Sequence, residues 1–84
     1  MKRIVLDASV MVACLFRDGT ARRVLLHATG VTFLAPPGIQ SEAEAQLARV
    51  ARRTGLPRET VRMILEDLLR HVEVVPMSQL HAVE

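Results

Sequence analysis

Tryptophan and tyrosine are absent from these 84 residues, and phenylalanine occurs only twice. The core is therefore aliphatic, built from Leu, Val, Ile, Ala and Met. A single cysteine, Cys14, excludes an internal disulfide and a cysteine-based zinc site, and fits a reducing compartment. Lysine is nearly absent too: Lys2 is the only one, and the other basic residues are arginines. A net charge of +2 is too small to announce a nucleic-acid binder. The planar fork of arginine suits phosphate, but genome composition or a heat-adapted host is the better account of the bias. No run approaches the ~18 apolar residues of a membrane helix. Asp7 interrupts the apolar stretch after Lys2-Arg3, and Arg17-Asp18-Gly19 follows without a small-residue cleavage site. The chain reads as soluble and cytoplasmic, with no membrane partner. Its length bounds it to one small domain or part of one, burying ~60–65% of its unfolded surface.

What is present is a regular alternation of short apolar runs and helical patterns. Residues 3–6 (RIVL) are β-branched and apolar, and read as a buried strand. Ala8 to Phe16 is apolar all round and reads as a helix buried on more than one side, with Asp7 or Ser9 as its cap. Asp18-Gly19 marks a turn, Thr20 caps a short helix over 21–28, and Thr29-Gly30 ends it. A second strand is expected over Val31–Leu34, then a loop at Pro36-Pro37-Gly38. One helix is expected over 41–54, stopped by Gly55, and another begins at Pro57. Val61, Ile64, Leu65, Leu68 and Leu69 make one apolar stripe on that helix, with Arg58, Arg62, Glu66 and Arg70 opposite. Val72–Val75 is a third strand closed by Pro76, and MSQLHAVE starts a last helix. This order signifies an α/β domain with a parallel sheet.

Ligand sites in such a sheet collect at the carboxyl ends of the strands. Asp7 stands at the end of the first strand, where an N-cap for helix 8–16 accounts for it without any chemistry. Ser9 is a second cap or a hydrogen-bond donor that holds the aspartate. Glu42 follows the second strand, where a favourable contact with the helix dipole accounts for it. Glu44 is expected to pair with Ser41 in a capping box. Taken together, two acids just beyond parallel strands could converge on one hard cation such as Mg²⁺ or Mn²⁺. Such an ion activates water and stabilises charge on a phosphoryl group.

A rival pattern is LARVARRTGLPRETVRMILEDLL, two helices joined by a Gly-containing turn. Over residues 47–70 it resembles a DNA-binding helix-turn-helix, with Arg58, Thr60 and Arg62 placed for phosphates or base edges. His27, His71 and His81 share no face and read as surface residues. Cys14 reads as a small core residue, Met11, Met63 and Met77 as core filler, and Glu66 and Asp67 as solvated.

The runs IVLDASVMVACL, VTFLAPPGIQSEAEAQL and GLPRETVRMILEDLLRHVEVVP together resemble the front part of PIN-domain ribonucleases. The small prokaryotic kind, the toxin of toxin–antitoxin pairs, is the nearest in appearance. The resemblance runs from about residue 3 to the end; its most specific pieces are strand-Asp-x-Ser and the Ala-Pro…Glu spacing that ends at Glu42. It implies a PIN-like three-layer α/β fold, of which the first three strands and their helices are present. Residues 1–84 are then a single domain, C-terminally incomplete, with strand one at an edge. It implies endonucleolytic cleavage of RNA with Mg²⁺ or Mn²⁺, Asp7 and Glu42 as metal-binding acids and Ser9 as their support. Arg17, Arg49 and Arg53 would then hold the RNA backbone. A cognate antitoxin and a homodimer are the implied partners, and further acids lie on strands beyond this chain. The other readings are the helix-turn-helix module and a non-catalytic, dimerising remnant.

Overall fold

The computed structural model describes residues 2–16 and 19–80. Strands β1 (Lys2–Val5), β2 (Val31–Ala35) and β3 (Val72–Val74) form one sheet in the order β1-β2-β3, with both pairings parallel. Parallel neighbours require crossover connections. Helices α1 (Ala8–Phe16) and α2 (Thr20–His27) supply the first, and α3 (Ile39–Glu44), α4 (Leu47–Thr54) and α5 (Arg58–Leu69) supply the second. A short α6 (Met77–Leu80) follows β3. Because strand order follows chain order, right-handed crossovers lay both connections on the same face of the sheet. Burial agrees with this. Phe33 and Ala35 join one core cluster with Met11, Leu15, Leu47, Val61 and Leu65, drawn from three of those helices. Leu34 points the other way along the strand; it is buried but lies outside that cluster. The expected α/β class and parallel sheet are present, and β1 lies at an edge of the sheet.

Helix α1 buries Met11, Val12, Cys14 and Leu15, while Val10 and Ala13 are exposed. The apolar run therefore buries one side of the helix, not several. Its last carbonyls have no partners within the helix. Arg22 of α2 reaches back to them, with Nε donating to Cys14 O at 2.7 Å and Nη2 to Leu15 O at 3.3 Å.

Other local expectations are corrected. Thr20 does not cap α2; Gly19 occupies that position, and Thr20 is the first helical residue. The single helix expected over 41–54 is two helices, broken at Ala45 and Gln46. The amide of Gln46 bonds Ala43 O, and the regular ladder restarts from Gln46 O to Val50 N. No Gly or Pro marks the break. Tertiary packing sets it, burying Ile39 and Ala43 before it and Leu47 and Val50 after it. The Ser41–Glu44 capping box does not form either. Burial of Ile39 draws the start of α3 back to Gly38, which is left-handed at φ 90°. Ser41 then lies inside the helix and its hydroxyl donates to Gly38 O at 3.1 Å.

The stripe on α5 folds as read, with Val61, Leu65 and Leu68 buried. Two of the expected core methionines do not: Met63 and Met77 are 64% and 55% exposed. Met63 lies two residues from both Val61 and Leu65, hence on the opposite face, and α6 buries none of its residues. Gly55 ends α4 in the left-handed region at φ 75°, its amide bonded to Ala51 O at 2.9 Å. An added Cβ there meets no atom within 4 Å, so only the backbone conformation resists substitution. Gly55→Ala is expected to cost about 1 kcal/mol, read as a lower urea midpoint, with Gly55→Asn recovering part of the loss.

Candidate active site

The site begins with the way β1 ends. Leu6 is buried, and its amide extends the ladder by one bond to Leu34 O at 2.7 Å. The next residue, Asp7, therefore emerges at the carboxyl edge of the sheet, with its side chain exposed. Its Oδ1 accepts the amide of Val10 at 3.0 Å and the hydroxyl of Ser9 at 2.7 Å. The first of these is a side-chain N-cap on α1. Asp7 is thus the cap that position alone suggested, and Ser9 is the residue that holds it. These two bonds, the Val10 amide first, keep its carboxyl below the ordinary aspartate range, so it is ionised at neutral pH.

Glu42 lies in the first turn of α3, where its charge faces the positive end of the helix. It is exposed, and its carboxylate makes no hydrogen bond or ion pair with the described residues. A cleft of about 580 Å³ opens between α1 and the α3–α4 bend, and Ser9 and Glu42 both line it. Asp7 does not line that cleft; it is tied to it through Ser9. Arg49 lines it too, its Nε donating to Gln46 Oε1 at 3.0 Å and its guanidinium over the Phe16 ring, 5.3 Å from the centroid. Arg53, one turn further along α4, is exposed and is not a lining residue. Arg17 lies outside the described residues. Among the described residues no group of three or more His, Cys, Asp and Glu side chains gathers where a metal could sit.

Of the residues expected from sequence, the cleft brings together Ser9, Glu42 and Arg49, and beside them stand Phe16 and Gln46, which the sequence reading did not single out. The available signal was spacing. Ser9, Val12, Ala13 and Phe16 repeat on one face of α1, as Glu42, Ala45, Gln46 and Arg49 do across the α3–α4 bend. On the rival helix pair, Arg58 and Thr60 are exposed at the start of α5, but Arg62 pairs with Glu59 at 3.4 Å. That contact sets a carboxylate among the groups a DNA phosphate would meet. No described helix is long and apolar enough to cross a membrane.

The lowered pKa of Asp7 makes a stability prediction. A carboxyl depressed in the folded state contributes stability that is complete above its unfolded value, ~3.9, and is lost as pH falls through the lower folded value. Thermal midpoints at pH 6 and pH 3 should therefore differ less for Asp7→Asn than for the wild type. An equal difference for the two proteins would show that the cap does not titrate in this way.

No curated protein and no solved structure matches the chain. A family model described as PIN domain matches residues 5–84, taking in Asp7, Ser9, Glu42, the whole cleft and both helices of the rival pair. An acid delivered by the first parallel strand and a match over nearly the full length lead to one conclusion: the chain belongs to the PIN-domain family, a family of nucleases that generally depend on a divalent metal.

Proposed function

We propose that this protein is an endoribonuclease of the toxin–antitoxin type, cleaving RNA phosphodiesters with Mg²⁺ or Mn²⁺. The observation that carries the reading is a pair of exposed carboxylates, Asp7 just past β1 and Glu42 in the first turn of α3, related through Ser9, which bonds Asp7 and lines the cleft with Glu42. The donors suit a hard cation. Both are oxygen acids, the two bonds of the cap fall on Oδ1 of Asp7, and Glu42 is uncommitted among the described residues. Mg²⁺ is commonly held by one or two carboxylates with waters and substrate phosphate. When bound, it supplies an activated water and neutralises charge on the phosphoryl group.

The residues of the chain do the rest. Asp7 and Glu42 hold the ion, Ser9 fixes the orientation of Asp7, and Arg49 and Arg53 attract the RNA backbone. In this reading further carboxylates join these two acids at the metal. A cognate antitoxin, a homodimer and a cytoplasmic setting belong to the same proposal. The test is cleavage of a single-stranded RNA with added Mg²⁺ or Mn²⁺. Activity should vanish in EDTA, return with the metal and fall about tenfold or more in Glu42→Gln. Cleavage indifferent to EDTA would overturn the reading. Salt-dependent binding of duplex DNA lost in an Arg58 and Arg62 double variant would replace it with the helix-turn-helix module. A stable dimer with neither activity would replace it with the non-catalytic remnant.

A further inference from the structure

The cleft has two chemically different ends, and the metal reading uses only one. Ser9 and Glu42 form the acidic end; Phe16 and Arg49 lie seven residues further along each wall. At ~1.5 Å rise per residue, the two ends of α1 in the cleft are about 10 Å apart. Phe33 is buried, so Phe16 is the only phenyl ring among the described residues that is open to solvent. A guanidinium already lies over that ring. Arg49 makes no ion pair among the described residues, and neither do Arg52 and Arg53. Helix α4 contains three arginines and no acid. Between the two ends lie Val12 and Ala13 on one wall and Ala45 and Gln46 on the other.

We infer that Phe16 and Arg49 form a stacking platform for one nucleobase of the RNA, about 10 Å from the acidic end, and so fix which phosphodiester reaches the metal. Proteins hold single-stranded nucleic acid by stacking bases on aromatic rings or on guanidinium planes, and here the guanidinium that covers the Phe16 ring turns its other face to the base. The unneutralised arginines of α4 favour a polyanion over an acidic peptide, because they extend the positive surface past the cleft in the direction a strand would continue. Gln46 holds Arg49 by its Nε, leaving the two terminal nitrogens outside that bond. The flat side of the guanidinium is what lysine does not reproduce. This inference rests on the RNA-cleaving reading for its ligand, but not for its readout.

The test measures binding of a short single-stranded RNA to the full chain in EDTA, with cleavage measured separately in Mg²⁺. Phe16→Leu keeps an apolar wall and should weaken binding roughly tenfold. An RNA with one abasic residue at the stacked position should lose a similar factor, and the two losses should not add. Arg49→Lys, which keeps the charge, should lose the preference for the intact RNA over the abasic one; it provides the same readout if Phe16→Leu fails to fold. In Mg²⁺, Phe16→Leu should raise KM and spread the cleavage positions. Additive losses, or equal binding of intact and abasic RNA by the wild type, would overturn the platform and leave a plain cationic groove. Equal competition by polyglutamate would overturn it as well, in favour of an acidic peptide. Phe16-dependent binding without metal-dependent cleavage would sink the nuclease proposal and keep the platform. Metal-dependent cleavage that Phe16→Leu leaves unchanged would do the reverse.

Discussion

Asp7→Asn should abolish metal-dependent cleavage, by at least about 100-fold, while lowering the thermal midpoint by less than ~4 °C. The two halves of this result separate the two roles of one side chain. Asparagine caps a helix as well as aspartate does, so the bond from Val10 N can persist. What asparagine lacks is the charge a hard cation requires. Asp7→Ala removes both functions and should lose activity together with about 1 kcal/mol of stability, or roughly 4–8 °C for a chain of this size. A circular-dichroism melt beside an RNA-cleavage assay on the three proteins reads both effects. If Asp7→Asn cleaves as fast as wild type, Asp7 is a cap and nothing more. The metal site would then have to be sought elsewhere.

The largest loss of stability should come from Leu65→Ala. Leu65 is 1% exposed in the middle of the α5 stripe and belongs to the cluster that joins the helices to β2. Emptying such a site costs ~2–5 kcal/mol through lost burial and the cavity left behind. A domain of 84 residues has only ~4–13 kcal/mol in total, so the variant should lose a large share of its stability. Two residues away, Met63→Ala should change stability by less than about 0.5 kcal/mol, because that side chain is in solvent. Urea titrations of the pair provide the check. Similar midpoints for the two variants would contradict the burial assigned to α5.

These two predictions mark where the sequence was legible. The stripe on α5 is a 3.6-residue pattern, and the period alone identifies its buried face. The passage from β1 through Asp7 into α1 is legible for a different reason: an ionisable residue between two apolar runs must lie where a strand surfaces. Other features depend on contacts between residues remote in sequence. Nothing at Ala45-Gln46 warns of a break, since both residues are good helix formers. The capping of α1 by Arg22 comes from the neighbouring helix. The meeting of Phe16 with Arg49 joins residues 33 positions apart, and no spacing rule reaches that far.

Cys14 has a practical consequence. It is the only thiol in the chain, 1% exposed, and burial raises its pKa against a smaller opposing pull from the Arg22 guanidinium. Both factors suppress the thiolate that reacts with alkylating reagents. Labelling must therefore wait for the helix layer to open, and where opening and closing are fast its rate follows the free energy of that opening. The molecule thus contains its own clock, placed on α1 among the residues that support the cleft. Added metal or RNA that binds the folded form should slow that clock in proportion to occupancy, reporting binding at the site without any need for turnover.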